Sequence, residues 1–363
     1  MSEGLFAEKP AAESRAETEG RRGGLFSHWR QELRERIVRR GIEAMCGSAD
    51  FVPTSAADDV SLISGGLRLA WLRVLGAVGI KEFVAMSGLG YRFVCHIGDL
   101  AEYPFYHRRA FQKELALCAA WLHREDRPVV YDLGANVGFI STHLAQILEP
   151  QLPQIYAFEP APATFARLVG SVRRLGLNDR IHPIAAAAID ETRPVFIRLS
   201  EQNSMLSQVV PDVSDLRHSN GFRHANGFAY AAGITLDEFS ATVGAHPTLV
   251  KMDVEGSEVA ALRGARRLLS GERRPAIAFE HNPVALAECG ASAHSLRELL
   301  AGYAFYYIDD LDGQKLPFGS AVADLGQVDW TCNLFAAPAS KASDARWASV
   351  LSDAQSRLAN GAL

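Results

Sequence analysis

Acidic residues and glycines follow two predicted strands at a spacing that suits a nucleoside-bearing ligand. The run V-V-Y-D-L-G-A-N-V-G at 129–138 is a short apolar strand that ends in Asp132 and a turn containing Gly134 and Gly138. A second run, Q-I-Y-A-F-E-P, places Glu159 at the end of the next predicted strand. Glycines let the backbone turn sharply and let a ligand approach it. An acid at the end of the second strand can accept hydrogen bonds from two ribose hydroxyls.

The glycine spacing in this turn indicates which nucleoside ligand it suits. A dinucleotide-binding turn has the spacing G-x-G-x-x-G, which rests the pyrophosphate on the helix N-terminus. Here the three positions are Gly134, Asn136 and Phe139, so the second and third glycines are missing. The turn has the spacing D-x-G-x-x-x-G instead, in which the leading acid faces an amino group and no phosphate is bound. A nicotinamide-dependent oxidoreductase is therefore disfavoured.

A third run, L-V-K-M-D-V-E-G-S-E at 249–258, follows another predicted strand and completes a set of motifs. The set resembles the FkbM family of class I S-adenosylmethionine-dependent methyltransferases over roughly residues 100–340. In chain order the motifs are D-L-G-A-N-V-G at 132–138, A-F-E-P at 157–160, A-A-I-D-E at 187–191, I-T-L-D-E-F at 234–239, K-M-D-V-E-G-S-E at 251–258, L-R-G-A at 262–265 and F-E-H-N at 279–282. The resemblance implies a Rossmann-like fold, S-adenosyl-L-methionine as cofactor and methyl transfer as the reaction.

The resemblance also implies which residues hold the cofactor. They are Asp132 and the turn of Gly134, Ala135 and Asn136 for the methionine end, Glu159 for the ribose, and Asp190 or its neighbours for the adenine. Gly138, Pro160 and Asp253 are further cofactor-binding candidates.

The reaction itself narrows the choice of catalytic residues. Methyl transfer from a sulfonium is an in-line displacement, so holding the reactants in line contributes most. A hydroxyl acceptor also needs a base within about 3 Å of its oxygen. Ligands of this fold bind beyond the carboxyl ends of the strands, and the candidates there are Asp253, Glu255, Glu280 and His281. Each also has a structural interpretation: a helix cap for Asp253, a turn contact for Glu255, an ion pair for Glu280 and a structural hydrogen bond for His281.

No metal site is predicted. Asp253 and Glu255 lie on alternate faces if their strand continues, so both could bind one ion only if the chain turns between them.

The expected acceptor follows from the resemblance. It is a hydroxyl on a sugar, a glycolipid or a polyketide-like natural product, as a small molecule or linked to a glycan or lipid. Two other hypotheses stay open. An N-methyltransferase would need the lone pair of its acceptor more than a base, and a cofactor-binding protein without activity would use the pocket for regulation or assembly.

Strands and helices alternate along the core, which predicts an α/β domain with a doubly wound, mostly parallel seven-stranded sheet. Strands are expected near 129–134, 154–159, 181–189, 248–253, 275–280 and 303–308, with a last, antiparallel strand at the sheet edge near 331–337. Helices are expected near 139–149, 162–175, 257–270 and 293–301. The polar segment 200–233 is longer than ordinary connections, which leaves a lid or substrate loop and a disordered insertion as alternatives.

Four segments are expected along the chain. Residues 1–24 form a disordered tail, 25–120 a helical N-terminal extension or cap, 121–340 the S-adenosylmethionine-binding domain and 341–363 a C-terminal helix. Within the extension, residues 25–46 are predicted to form a basic amphipathic helix. Its apolar stripe could pack on the protein or on a second subunit of a homo-oligomer, or it could contact an anionic membrane surface.

The composition excludes several classes of protein. The net charge of −5 argues against a general binder of nucleic acid. The five cysteines, at positions 46, 95, 118, 289 and 332, show no C-x-x-C pairing, which favours reduced thiols in a cytoplasmic protein. The sequence contains neither a signal-peptide pattern nor a run of about 18 uncharged apolar residues.

Overall fold

The computed structural model describes residues 76–77, 79, 81–87, 89–96, 111–199, 208–210, 228–310, 315–340 and 344–360. The chain divides into two compact units, Met1–Ile80 and Lys81–Leu363, and the elements below belong to the second. The predictions for the tail at 1–24 and the basic helix at 25–46 lie outside the described residues. In the described residues, no helix is long and apolar enough to cross a membrane.

The strands of the described residues are, in chain order, β1 (Glu82–Met86), β2 (Arg92–His96), β3 (Val129–Leu133), β4 (Gln154–Phe158), β5 (Ile181–Ile184), β6 (Ala186–Ala188), β7 (Arg193–Arg198), β8 (Gln208–Val210), β9 (Phe228–Ile234), β10 (Leu249–Met252), β11 (Ala276–His281), β12 (Tyr303–Asp310), β13 (Ala321–Val322) and β14 (Cys332–Pro338).

The α-helices of the second unit are, in the same order, α1 (Gln112–Leu122), α2 (Phe139–Ile147), α3 (Pro162–Leu175), α4 (Leu236–Val243), α5 (Glu258–Arg263), α6 (Arg266–Ser270), α7 (Pro283–Glu288), α8 (Ala293–Leu299) and α9 (Asp344–Asn360).

Local sequence signals set several helix ends. Helix α3 has Pro162 in its first turn and ends at Gly176, which takes the left-handed conformation with φ 72°. Helix α4 begins after Thr235, whose hydroxyl accepts the N–H of Glu238 at 3.1 Å. Asn282 caps α7 in the same way. These ends fix where each helix leaves the sheet.

Eight strands form the main sheet in the order β13, β12, β14, β11, β10, β3, β4, β5. The five strands from β11 to β5 are parallel, which confirms the mostly parallel α/β fold. Two details of the prediction were wrong. The sheet has an eighth strand, the two-residue β13 at its edge. The antiparallel strand β14 lies between β11 and β12 instead of at the edge, in keeping with its nearly continuous burial.

The strand order reverses beside β3. From β3 the chain fills β4 and β5 on one side, and it later fills β10 and β11 on the other. Ligands of such sheets bind at the carboxyl ends of the strands where the order reverses. The register pairs Asp132 with Lys251 and Leu133 with Met252. The turns that follow β3 and β10 therefore begin side by side.

The central strands are buried on both faces. All four residues of β10 are buried, and Tyr131 and Leu133 of β3 have no exposed surface. Each fully buried side chain of this size contributes about 1.5–3 kcal/mol to folding. The turns at the carboxyl ends therefore follow strands that are tightly packed in the core.

A second sheet, which the sequence analysis did not predict, contains β6, β9, β7 and β8 in that order. The strand predicted at 181–189 divides, because β5 stays in the main sheet while β6 pairs in parallel with β9. The described part of the segment 200–233 supplies β8 and β9. The sheet packs one face on a small apolar core of its own, and every second residue of the middle of β7 is buried.

The helix predicted at 257–270 is two helices. They separate at Gly264, where a Cβ would lie 2.0 Å from the carbonyl oxygen of Ile189. The carboxylate of Asp237 accepts the N–H groups of Arg267 and Leu268 at 2.9 and 3.0 Å and so caps α6. The break lets the chain pass close to the second sheet.

The range 25–120, predicted to be helical, contains the antiparallel pair β1 and β2 in its described part. This pair is tied to α2, since the Gln146 side chain donates to the carbonyl oxygen of Arg92 at 2.8 Å and accepts its N–H at 3.0 Å. Helix α1 crosses the predicted limit at 120 and is buried from Glu114 to Leu122. Helix α9 occupies the C-terminal segment and packs on α1.

Candidate active site

A cavity lies at the carboxyl ends of β3, β4 and β10, where the strand order reverses. Its wall comes from the turn after β3, the end of β4, β6, the end of β10 and nearby apolar side chains. The lining residues are Gly134, Ala135 and Asn136; Phe158, Glu159 and Pro160; Ala186, Ala187 and Ala188; Lys251, Asp253, Val254, Glu255 and Ser257; and Phe111, Phe139, Ile140 and Val209.

The turn after β3 requires backbone conformations that few side chains tolerate. Gly134 has φ 74°, Asn136 φ 51° and Gly138 φ 89°. A Cβ on Gly134 would lie 1.9 Å from the carbonyl oxygen of Asp253, so only glycine fits there. Gly138, which we predicted to bind the cofactor, is not in the cavity wall. A Cβ at that position would lie 2.7 Å from the side chain of Leu168, so this glycine serves packing.

The N–H groups of the same turn are used inside the fold. Those of Gly134 and Ala135 donate to the carbonyl oxygen of Phe158 at 3.0 and 2.9 Å. That of Asn136 donates to Oε2 of Glu159 at 3.0 Å. A phosphate-binding turn keeps such groups for its ligand. This turn is therefore unsuited to a pyrophosphate, in agreement with the missing glycines of its sequence.

Glu159 is held in place at the end of β4. Its Oε2 accepts the N–H of Asn136 and its Oε1 accepts the N–H of Ala161 at 2.9 Å. Burial raises the pKa of Glu159 to about 7, and the two N–H donors oppose that rise. Each carboxylate oxygen can accept a further hydrogen bond, so Glu159 is placed to receive two hydroxyl groups. Pro160 lines the cavity beside it.

Asp132 lies behind the cavity wall and has no exposed surface. Its Oδ2 accepts a hydrogen bond from the Ser141 hydroxyl at 2.6 Å, and its Oδ1 lies 3.9 Å from Nζ of Lys251. Burial raises the pKa of Asp132, while Lys251 and Ser141 lower it. Asp132, which we predicted to contact the cofactor, is therefore not among the residues that line the cavity. Its carboxylate faces Lys251, which does line the cavity.

Two charged residues that the sequence analysis missed complete this cluster. Lys251 is 3% exposed and its Nζ lies 3.3 Å from Oδ2 of Asp253. Burial lowers the pKa of Lys251, but Asp253, Asp132 and Glu114 outweigh burial, and the pKa is raised. Glu114 of α1 is 2% exposed, and burial raises its pKa to about 8 although Lys251 lowers it. Charged residues within apolar runs were the available signal, because such side chains are almost never fully buried unless paired.

The turn after β10 carries Asp253 and Glu255 into the cavity wall. Glu255 has φ 51°, a conformation that strains a residue with a side chain. The Gln208 amide of β8 donates to the carbonyl oxygen of Glu255 at 2.7 Å, and Arg198 donates to the Gln208 amide oxygen at 2.6 Å. The second sheet thus contacts the strained peptide directly.

The charge state of Glu255 depends on its neighbours. Burial, together with the carboxylates of Asp253, Glu280 and Glu258, raises its pKa to about 8, while Lys251 lowers it. A carboxylate with a raised pKa is a stronger base. Glu255 therefore combines a place in the cavity wall with the basicity that proton removal requires.

The two residues at the end of β11 do not lie in the cavity wall. Burial and the charge of Asp253 raise the pKa of Glu280 to about 7. Glu280 affects the site because its negative charge raises the pKa of Glu255. His281 has no exposed surface, and its Nε2 donates to the carbonyl oxygen of Val328 at 2.9 Å. This contact is the structural hydrogen bond that the sequence left open for His281, and its predicted role as a base stays a prediction.

Asp190 is not brought to the cavity either. Its side chain is 40% exposed and its Oδ1 lies 3.6 Å from the guanidinium of Arg193. The preceding residues Ala186, Ala187 and Ala188 line the cavity instead. Small apolar side chains leave flat space, so a planar base fits beside them better than beside Asp190.

In the part of the chain that the structure describes, no group of three or more His, Cys, Asp or Glu residues could hold a metal ion. The cysteines in that part, Cys95, Cys118, Cys289 and Cys332, are free thiols.

Comparisons with known proteins agree with this geometry. Residues 132–307 match the family model of the methyltransferase FkbM domain. The solved FkbM methyltransferase of Methylobacillus flagellatus KT shares 20% identity at a TM-score of 0.39, over 58% of this chain and 44% of that one. Our chain thus spans less than half of that protein. No curated protein matches the chain.

Two further solved structures are similar to the chain. The S-adenosylmethionine-dependent methyltransferase of Agrobacterium tumefaciens shares 12% identity at a TM-score of 0.35, over 70% of this chain and 69% of that one. The precorrin-6y C5,15-methyltransferase of Geobacter metallireducens GS-15 shares 11% identity at a TM-score of 0.32, over 62% and 86%. Since all three TM-scores are below 0.5, the family assignment depends on the family model and the motif residues.

The matched range contains the chemistry of the site. Apart from Phe111, every residue of the cavity wall lies within residues 132–307. The turn after β3, the ribose-binding candidate Glu159 and the acidic turn after β10 are all included. Residues 132–307 therefore carry a methyltransferase FkbM domain, and methyltransferases of this family depend on S-adenosylmethionine.

Proposed function

We propose that this protein transfers the methyl group of S-adenosylmethionine to a hydroxyl group of a sugar, a glycolipid or a polyketide-like natural product. The match of residues 132–307 to the FkbM domain supports the cofactor and the reaction class. The hydroxyl acceptor is supported by a carboxylate of raised pKa in the cavity wall, because a hydroxyl must lose its proton during the transfer.

The observation that carries the proposal is the position of Glu159. Two backbone N–H groups, from Asn136 and Ala161, fix its carboxylate at the carboxyl end of β4. That end lies beside β3, next to the point where the strand order reverses. A carboxylate fixed there accepts the two ribose hydroxyls of a nucleoside cofactor.

The rest of the cavity also fits S-adenosylmethionine. Gly134 packs against the backbone of Asp253, and the Asp253 side chain is 29% exposed. We assign the methionine amino group to Asp253, since Asp132 is withdrawn from the wall. The adenine ring suits the apolar surface of β6, from Ala186 to Ala188. When bound, this cofactor supplies a methyl group on a positively charged sulfur that leaves as a neutral thioether.

Glu255 is the base in this proposal. As the acceptor oxygen bonds to the methyl carbon, its proton moves to the Glu255 carboxylate. The contact from Gln208 holds the strained Glu255 peptide in one conformation, which keeps the carboxylate at the edge of the cavity. Placing the acceptor in line with the methyl group supplies the larger part of the rate.

One observation favours a second function, N-methylation. The wall near Glu255 is acidic, since Asp253, Glu258 and Glu280 all act on its charge, and an acidic wall attracts an amine. A neutral amine already presents a lone pair, so this reaction depends little on a base. Replacing Glu255 by glutamine separates the two: we expect at least a tenfold loss of kcat for a hydroxyl acceptor and a small change for an amine.

The first experiment is calorimetric titration of the protein with S-adenosylmethionine and S-adenosylhomocysteine. We expect both to bind, and Glu159→Ala to weaken binding by about 1–3 kcal/mol, because two buried hydrogen bonds are lost. Glu272→Gln, which changes an exposed carboxylate, is the matched control. Absence of binding to the unaltered protein would refute the proposal.

The acceptor is then sought with S-adenosylmethionine that is isotopically labelled in its methyl group. Hydroxyl and amine compounds are offered separately, and transfer is followed by mass spectrometry. Cofactor binding without transfer to any compound of either kind would favour a binding protein without activity.

A lipid-linked acceptor would suit contact of residues 25–46 with an anionic membrane surface. Liposome flotation of the full chain and of a chain lacking residues 1–46 measures this contact. Equal flotation of the two proteins would remove the membrane from the proposal and leave contact with the protein or a second subunit.

A further inference from the structure

Lys251 is a buried lysine in the middle of the acidic side of the cavity. It lies on β10, between β3 and β11, and only 3% of its surface is exposed. A lysine loses its hydration at such a site, which costs several kcal/mol unless carboxylates compensate. The residues that face Lys251 must therefore account for its presence.

Carboxylates reach Lys251 from separate elements. Asp132 of β3 lies 3.9 Å from its Nζ and Asp253, in the turn after β10, lies 3.3 Å away. Glu114 of α1 adds a third negative charge. The positive charge of Lys251 also lowers the pKa of Cys118, Glu255 and Glu280. Lys251 thus supplies positive charge to an acidic cluster that includes the edge of the cavity.

The contacts of Lys251 join the end of β3 to the turn after β10, and both border the cofactor site. Asp132 precedes the turn of Gly134, and Asp253 begins the turn that carries Glu255. Because one ammonium contacts both carboxylates, displacement of the end of β3 or of the turn after β10 would leave a buried charge less well paired. Such a loss is strongly destabilising.

We infer that Lys251 is a positioning residue for methyl transfer, whose ammonium links the end of β3 to the turn after β10 and offsets the negative charge around Glu255. The inference depends on the proposed function for the identity of the base. It does not make Lys251 a base, because its carboxylate neighbours keep its amine protonated.

A purely structural role predicts different behaviour. If Lys251 only fills the core, its replacement lowers stability and activity equally at every pH. If it offsets charge near Glu255, its replacement raises the pKa of Glu255 above about 8, because the lowering effect of Lys251 is lost. The groups that act on Glu255 are Asp253, Glu280, Glu258 and Lys251.

The test compares Lys251→Met, which removes the charge, with Lys251→Arg, which keeps it. Lys81→Met, at an exposed residue, is the control. The first readout needs no cofactor: carbon-13 NMR of glutamate carboxyl groups across a pH titration, with the Glu255 signal identified by its loss in Glu255→Gln. We expect the Glu255 midpoint to rise by about one pH unit or more in Lys251→Met, a tenfold loss of ionised base at fixed pH, and to return towards the native value in Lys251→Arg.

The second readout is the pH profile of kcat/KM, whose acidic limb we expect to move by the same amount in Lys251→Met. If Lys251→Met does not fold, Lys251→Gln replaces it in both measurements. A Glu255 midpoint unchanged by loss of the ammonium overturns the inference. A shifted midpoint in a protein that binds no S-adenosylmethionine leaves the charge effect intact and refutes the proposed function instead.

Discussion

Replacing the buried Glu114 by glutamine should stabilise the protein in a pH-dependent way. Glu114 is 2% exposed in α1, and burial raises its pKa from 4.5 to about 8. A carboxyl group whose pKa is raised in the folded state stabilises that state most when protonated. Its contribution is fully present below the unfolded pKa and is lost as the pH rises through about 8. Glutamine has nearly the same shape and never ionises.

The magnitude follows from the pKa of Glu114 in the two states. Each pKa unit corresponds to about 1.36 kcal/mol, so complete ionisation of Glu114 costs about 5 kcal/mol. Between pH 5 and pH 8 most of that difference develops, about 3–4 kcal/mol. The carboxyl is fully buried, so solvent screening gives no reason to discount it. Lys251 loses one negative neighbour in the variant, but it keeps Asp132 and Asp253.

The assay is urea unfolding of the cofactor-free protein at pH 5 and pH 8. Glu114→Gln should have nearly the native free energy of unfolding at pH 5 and exceed it by a few kcal/mol at pH 8. Glu272→Gln, at an exposed carboxylate, controls for the loss of one negative charge. If Glu114→Gln were no more stable than the native protein at pH 8, ionised Glu114 would not destabilise the folded state. That result would refute the raised pKa of Glu114.

Three further predictions concern the cavity. Gly134→Ala should lower the free energy of unfolding by about 3 kcal/mol or more, because its Cβ would lie 1.9 Å from a carbonyl oxygen. The control is Gly176→Ala, which has a similar φ of 72° but open space around it and should cost only about 1–2 kcal/mol. Thermal melts compare the two variants, and equal losses would contradict the clash. Binding of S-adenosylhomocysteine should tighten as the pH rises through about 7, since the pKa of Glu159 is about 7 and its ionised form accepts the ribose hydroxyls better. Calorimetry at pH 6 and pH 8 measures the change in affinity, and Glu159→Gln should show none. Gln208→Leu should lower kcat about tenfold by releasing the Glu255 peptide, with cofactor affinity within about twofold; a loss of affinity alone would refute this role.

The sequence by itself determined the local parts of the site. Strand, turn and helix succeed one another within a few residues, so the turn of Gly134 and the position of Glu159 could be placed from spacing alone. The same holds for Asp253 and Glu255, because the carboxyl ends of parallel strands meet at one edge of the sheet. The missing glycines of the dinucleotide motif had predicted that this turn binds no phosphate. In the structure its N–H groups donate to other parts of the protein.

The tertiary structure decided which of these side chains face the cavity. Successive residues of a strand point to opposite faces, and whether a face meets a cavity or the core depends on the neighbouring strand. His281 is thus held by Val328, 47 positions further along the chain, and Asp132 is enclosed by Ser141 and Lys251. No local pattern contains these partners.

The charges of the site depend on contacts that are distant in sequence. Glu114 acts on Lys251 from a helix that precedes the recognised motifs. Gln208 reaches Glu255 from β8, in a segment for which a lid or substrate loop and a disordered insertion had been the alternatives. Burial and Coulomb interactions set the pKa of each group, and both are sums over everything nearby in space. The sequence therefore determined which chemical groups the site contains, whereas the fold determined their exposure, their partners and their protonation.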